Sequence, residues 1–460
     1  MRKIKIAIVA ALIVVFACPL VQAQENKELW SASTYIQSAK IHYKHVYVPS
    51  KERKELYHCI DLLKEGAGKF GHMPEFYYMI GTFYAEIYAI DTVVAYFDSV
   101  AIYCADETID EKYRRNCYKK EDYIKKMEKQ RLAFWEKSYN SAIGYIDEFD
   151  QVTDMKTNSP EDSISIYDSL ATKAFDLAMS DFNMALMARP GDTTTLMGTA
   201  ALYQRQNMHK EAIDLYNQIK EIKGENCDIT SRIAYAYISM EDWQNSIVWF
   251  EKLVNCIPDD INSLINLSVS YYQLKDYDKW YETTEKVISF DPENPQFLFN
   301  AAQYWWYNKR NDYTEQLSEI DKNATDAAAQ EEELEAKINE CAVKTTEYLE
   351  KMLKVHPNDC DASRILGFAY ILLSDYPKVI ESFSNYIDNC DLDEDLLDIL
   401  GQAYYREGDL ENAIKTYEKL VETNPGSEVG WESLGTLYDA NKMPEKAKEA
   451  TAKAEELKKL

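Results

Sequence analysis

An all-α array of repeated helical hairpins is the fold this sequence predicts, on three observations. Glycine and proline together number 26 of 460 residues, well below the roughly 12% of an average chain, so turns are few and helix abundant. Prolines fall at 190, 258, 292, 357 and 425, at intervals that are multiples of 34 apart from one of 34 plus 31. Between them apolar residues recur every three to four positions, the mark of helices that bury one face. With 46% hydrophobic and 28% charged residues the chain has the composition of one that folds rather than a disordered one.

The first element is a leader. Arg2, Lys3 and Lys5 precede an apolar run from Ile6 to Ala17, followed by Pro19 and the small-residue site Val21-Gln22-Ala23. This is a secretory signal peptide over 1–23, too short to span a bilayer comfortably, with the mature chain starting near Gln24. Cys18 offers a competing lipidated N-terminus, which the bulky Phe16 and the proline after the cysteine disfavour. Residues 24–190 are a helical N-terminal region with degenerate repeats. They hold one clear unit, Tyr77, Ile80-Gly81, Tyr84, Phe97 and Val100, and long helical stretches around Lys125 to Phe149 and Glu161 to Ala188.

From 191 onward the repeats are regular. Leu397, Leu400-Gly401 and Tyr404, then Gly408-Asp409-Leu410, Ala413, Tyr417, Leu420 and Pro425, describe two amphipathic helices joined by a tight turn. Trp431, Leu434-Gly435, Tyr438, Ala447 and Ala454 repeat the pattern. Leu366-Gly367, Tyr370 and Phe383 carry it backwards, as do Leu267, Tyr271 and Val287, Ile233-Ala234, Tyr237 and Phe250, and Ala200, Tyr203 and Tyr216. This pattern resembles the tetratricopeptide repeat (TPR). The resemblance implies a right-handed α-solenoid with units starting at 193, 227, 261, 295, 360, 394 and 428. The expected organisation is three regular repeats over 191–294, a repeat with about 31 extra residues over 295–359, and three repeats over 360–460. The extra residues, Asn311 to Ala342, contain a strong helix-forming run and read as a lengthened second helix or a worn additional repeat.

Eight cysteines remain after the leader. In repeat coordinates Cys227 opens a hairpin that Cys256 closes, and Cys360 opens one that Cys390 closes; the two ends of an antiparallel pair lie together, so two staples are expected. Cys104 and Cys117 bracket an inter-helix loop as a weaker third pair. Cys59 and Cys341 are expected to be buried free thiols. No CxxC or His-Cys cluster supports zinc, so no metal is assigned.

Net charge is −27, from 51 basic and 78 acidic residues, which repels nucleic acid and anionic lipid. Gly66-Ala-Gly68-Lys-Phe-Gly71 fits a dinucleotide string but follows a helix, and reads as an inter-helix loop. Asp391, Asp393 and Asp395 have calcium-loop spacing, but Leu396 stands where glycine is needed; they read as acids at a helix N-terminus. His42 and His45 read as surface histidines. The chain shows no HExxH, GxSxG or GxxxxGK[ST], and neither catalytic residues nor a cofactor are assigned.

What remains is a surface. The resemblance implies that positions 2, 5, 9, 12 and 13 of each first helix line a concave groove. Those positions hold Tyr235, Ile238, Ile265, Tyr272, Phe299, Trp306, Tyr307, Phe368, Ile371 and Tyr405, with Arg205, Arg364 and Arg406 interspersed; Trp305 is taken as the core member of its pair. The fifth positions, Met197, Ser231, Ile265, Phe299, Arg364, Asp398 and Glu432, lack the lysines and asparagines with which cytosolic chaperone-binding members clamp a terminal carboxylate. The expectation is a non-enzymatic protein-interaction scaffold or adaptor of the bacterial cell envelope, periplasmic or extracellular. It would bind a protein or peptide segment with apolar anchors, with no nucleic acid and no membrane-spanning segment after leader removal. A carbohydrate-binding accessory protein of an outer-membrane uptake system, with Trp306-Tyr307 as sugar platform, is the alternative.

Overall fold

The computed structural model describes residues 30–459 apart from 120–121, 158, 323–325 and 391–392. The leader, Cys18 and Asp391 lie outside the described residues. Every regular element among them is helical. The chain divides into two compact units, Met1–Glu225 and Asn226–Leu460, so the boundary falls within the run of repeats.

In the first unit, α1 (Ala32–His42) continues through a π-helical turn, Tyr43–Tyr47, and packs on α2 (Arg53–Phe70). Next come the hairpin α3 (Pro74–Ala85) and α4 (Ile90–Ala105), the short α5 (Glu111–Tyr118) and the long hairpin α6 (Tyr123–Thr157) and α7 (Ile164–Ala188). The hairpin α8 (Thr193–Arg205) and α9 (His209–Lys223) closes the unit. Its core is built on the fully buried Tyr35, Phe76, Phe97, Phe182 and Tyr216. The glycine-rich string is not a loop: Gly66 and Gly68 lie inside α2, and only Gly71, at φ +77°, terminates it. Gly66 is needed because a Cβ there would run into the Phe76 ring. His42 is half-buried and its Nε2 meets Glu55 Oε2 at 2.8 Å, so a carboxylate supports this histidine, whereas His45 is exposed.

The second unit stacks hairpins in chain order: α10 (Cys227–Ser239) and α11 (Trp243–Cys256), α12 (Ile261–Gln273) and α13 (Tyr277–Phe290), then a long hairpin. After it come α17 (Cys360–Leu372) and α18 (Tyr376–Asn389), α19 (Glu394–Arg406) and α20 (Leu410–Thr423), and α21 (Glu428–Ala440) and α22 (Pro444–Leu457). The long hairpin shares its extra residues between both helices. Its first half runs from α14 (Pro295–Gln303) through a π-helical segment, Tyr304–Lys309, into α15 (Arg310–Ser318); its second is α16 (Ala327–Val355). A lengthened second helix alone cannot bury Ala327, Leu334 and Ile338; the extended first helix lies beside it and covers them.

Each hairpin turn is set by backbone chemistry. Asn207, Glu241, Lys275, Ser374, Gly408 and Lys442 all have φ between +55° and +79°, the left-handed conformation that stops a helix. Their spacing is 34, apart from the one interval that holds the long hairpin. The residue after each donates its N–H back to a tyrosine carbonyl, as Asp242 does to Tyr237 at 3.0 Å and Asp409 to Tyr404 at 2.9 Å. Asp242, Asp276, Asp375 and Asp409 then cap the second helix through their side chains, satisfying its first free N–H groups.

Within the hairpin a small residue meets a large one sixteen positions later. A Cβ on Gly81, Gly367 or Gly401 would overlap the rings of Phe97, Phe383 and Tyr417, so glycine lets the two helices approach closely. The 261 repeat uses other chemistry: Ser268 Oγ meets Thr284 Oγ1 at 3.3 Å, both buried.

Candidate functional site

Between consecutive hairpins of the second unit runs a ladder of buried tyrosines. Tyr271 donates to Glu251 at 2.5 Å, Tyr370 to Glu350, and Tyr438 to Glu418 at 2.6 Å, always from position 11 of a first helix to the residue twenty before it, on the preceding second helix. Lys279, Lys378 and Lys446, eight residues after each tyrosine, lie over the three rings at 4.8–5.2 Å. Burial, followed by the hydrogen bond to Glu350, pushes the Tyr370 phenol up to about 12; burial and the glutamates raise Tyr271 and Tyr438 as well. At the long hairpin, position 11 is Trp305, and Glu285 accepts instead from Tyr348 of α16 at 2.8 Å. The ladder fixes each first helix against the second helix of the preceding hairpin, and so fixes what its outer positions present.

Those positions expose apolar surface. Tyr235, Tyr272, Tyr307 and Tyr405 are 37–49% exposed. Val269, Leu372 and Val429, which sequence reasoning passed over, are 38–53% exposed at positions 9, 13 and 2. Phe299, Phe368, Ile238, Ile265 and Ile371 are half-buried and pack against the core, so they support the surface more than they offer it. Phe368 meets Phe383 edge-on at 5.4 Å, and Tyr235 meets Phe250 at 5.3 Å. Arg364 is exposed, and Arg406 donates to the Tyr376 hydroxyl at 2.9 Å. Arg205 belongs to the first unit and pairs with Asp150 at 2.8 Å.

Trp306 requires correction as a groove residue: it is 6% exposed, and Trp305 is the half-buried member of the pair. Two features turn it inward. The π-helical segment Tyr304–Lys309 inserts an extra residue per turn and rotates the side chains beyond it by about 100°. The lengthened α16 then provides a wall, and Trp306 joins the cluster with Ala342 and Leu349. The Arg310 guanidinium stacks on its ring at 3.8 Å. A Trp306-Tyr307 platform for a sugar therefore does not form; Tyr307 alone reaches the surface.

The last two repeats shape a hollow of about 240 Å³ lined by Gln402, Tyr405, Val429, Glu432, Ser433 and Thr436, with the Tyr417 ring at its base. Tyr417 donates to Asp398 Oδ1 at 2.7 Å and Gln402 to Oδ2 at 2.9 Å, so two lining residues hold the Asp398 carboxylate next to the hollow. Asp393, of the calcium-like triplet, caps α19 through bonds from the Asp395 and Leu396 N–H groups. No group of three or more potential metal ligands occurs among the described residues, nor is any of their helices long and apolar enough to cross a membrane.

Three pairs of cysteines lie close together. Cys227 and Cys256, Cys360 and Cys390, and Cys104 and Cys117 each face each other with Cα atoms 5.8–5.9 Å apart, within the reach of a disulfide. Cys59 and Cys341 are buried and unpaired, their thiols pushed up to about 12 and about 11, chiefly by burial.

Residues 261–294 and 394–437, two of the hairpins that build this surface, each match a family model described as the tetratricopeptide repeat. At these two stretches the chain carries tetratricopeptide repeats. Solved structures similar to parts of it include MamA protein, at 19% identity over 44% of this chain and 94% of that one, with a TM-score of 0.31. A tetratricopeptide-repeat protein from Parabacteroides merdae is 13% identical over 63% and 99%, TM-score 0.29. YrrB, described as a TPR protein with an unusual peptide-binding site, is 15% identical over 44% and 96%, TM-score 0.27. Tetratricopeptide repeats serve protein–protein interaction, and this chain is a repeat scaffold for it.

Proposed function

We propose that this repeat protein is an exported, non-enzymatic adaptor of the bacterial cell envelope that holds a segment of a protein partner along the first-helix face of its second unit. One observation carries the reading. Tyr235, Val269, Tyr272, Tyr307, Leu372, Tyr405 and Val429 are all left exposed at the first-helix positions that line the groove in this family. Large side chains held in water at recurring positions provide anchor area that a partner can bury. Three facing cysteine pairs support an oxidising compartment, where each would close as a disulfide, in keeping with the leader-like first 23 residues.

The test is capture from a crosslinked envelope extract of the native host, with the wild-type chain beside a Tyr272→Ala, Tyr307→Ala, Tyr405→Ala variant. These tyrosines are solvent-exposed, so their loss leaves the core intact, as circular dichroism would verify. A protein enriched by wild type and lost with the variant is the expected result. Identical captured sets, or a protein found only in the cytoplasmic fraction, would defeat the reading.

A further inference from the structure

The partner's chemistry can be read one step further, on the footing of the partner-binding proposal. Charge is divided very unequally between the two units. Met1–Glu225 carries 32 acidic and 28 basic residues, whereas Asn226–Leu460 carries 46 and 23, so nearly all of the net charge belongs to the unit that exposes the apolar first-helix positions. The same sign prevails at those positions towards the C-terminus: Asp395, Asp398, Glu432 and Asp439 occupy them, with Arg406 as their cation. Arg406 is engaged, its guanidinium 5.0 Å from the Tyr376 ring and bonded to the Tyr376 hydroxyl. The other nearby cation, Lys458, reaches Glu432 at 3.2 Å from the chain end, with both side chains about half-exposed. Such an exposed pair holds weakly, and an incoming cation can replace it.

We infer that the hollow between the last two repeats selects a cationic, amphipathic segment of the partner protein, a lysine or arginine side chain lodging against Tyr405 and Glu432 while an apolar neighbour covers Val429. Three physical terms converge there. The Tyr405 ring, 49% exposed, has a face available to a cation. Glu432, on the wall, and Asp398, held by Tyr417 and Gln402, are positioned carboxylates. The acidic field of the whole unit draws cationic segments in and turns acidic ones away. A partner with a terminal carboxylate as its main feature gains nothing here, since the fifth positions of these repeats are Asp398 and Glu432.

The experiment is calorimetric titration of the chain produced without residues 1–23 with three synthetic peptides of equal length: lysine alternating with leucine, glutamate in place of every lysine, and glycine in place of every leucine. The lysine-leucine peptide is expected to bind at least about tenfold more tightly than either other, more weakly as salt rises. Glu432→Gln should weaken it about threefold and Tyr405→Ala about tenfold, with unchanged circular dichroism. Equal binding of the glutamate peptide overturns the charge selection and leaves the adaptor reading standing. Equal binding of the lysine-glycine peptide, or affinities indifferent to both substitutions, reduces the effect to diffuse attraction and overturns the hollow as its seat. If no peptide binds, the inference falls, and the envelope capture decides independently whether the adaptor reading falls with it.

Discussion

Glycine at position 8 and the residue that turns the hairpin obey opposite rules, and both can be tested singly. Gly367→Ala would press a methyl group into the Phe383 ring and should cost about 1–3 kcal/mol in urea unfolding. An unchanged midpoint would mean the helices part without penalty. At the turn, Gly408 has φ +79° and Glu241 φ +55°, where a Cβ is strained by roughly 1–2 kcal/mol. Gly408→Ala should therefore destabilise by about 1 kcal/mol, and Glu241→Gly should stabilise by up to about 1 kcal/mol, entropy offsetting part of the gain. The glycines at 367, 401 and 408 were legible in the sequence because the residue itself announces the need. Glu241, Lys275, Ser374 and Lys442 were not, since nothing in a charged residue signals a left-handed backbone; only the following aspartate, often present, marks the place. Trp306 was misread for a related reason. The π-helical turn packs against α16, where Trp306 meets Ala342 and Leu349 far along the sequence, so a count along one helix cannot reveal it.

At the scale of the element, the hairpins were legible and their lengths were not. Periodicity identified α17 to α22 because each obeys the 34-residue rule, whereas the long hairpin spends its additional residues on both arms and the pattern says only that they exist. The helix α6 offers a clean test of element stability. Gly144 lies in its middle, exposed, with open space where a Cβ would stand, and in helix interiors glycine is about 0.8–1 kcal/mol worse than alanine. Gly144→Ala should raise the first unit's stability by that amount; a loss would reveal a contact that needs the bare backbone. The staples act on hairpins too. If Cys227 and Cys256 are joined, the pair closes a loop of sequence separation 29, and Cys227→Ser with Cys256→Ser should cost about 3 kcal/mol. Alkylation of the denatured, unreduced chain produced without residues 1–23 should label two cysteines, Cys59 and Cys341. Labelling of all eight would show that the pairs are thiols.

For the whole molecule, alkaline pH is the informative stress. The folded chain holds the Tyr77 and Tyr370 phenols near 12, against an ordinary 10.0, first by burial and then by hydrogen bonds. Because their folded values are raised, their contribution to stability is complete below pH 10 and is lost as pH climbs towards 12. Tyrosinate absorbance and helical circular dichroism should then change together in that window. Ionisation at pH 10 with the helices intact would mean that these phenols are open to water. Acidification to neutral or mildly acid pH leaves the phenols untouched, so the two arms of a pH profile separate the ladder from the carboxylates.

The short reach of the contacts has a consequence for biogenesis. Gly81, Gly367 and Gly401 find their rings sixteen positions on, each ladder tyrosine its glutamate twenty positions back, and each turn is written within its own few residues. A chain wired this way has a low contact order and can nucleate at any hairpin. Delivered from its N-terminus, through a ribosome tunnel or a translocation pore, it need not wait for its far end. A hairpin can close once its own residues have emerged, and each closed hairpin presents the glutamate that the next tyrosine requires, so the emergence of the chain itself sets the order of assembly.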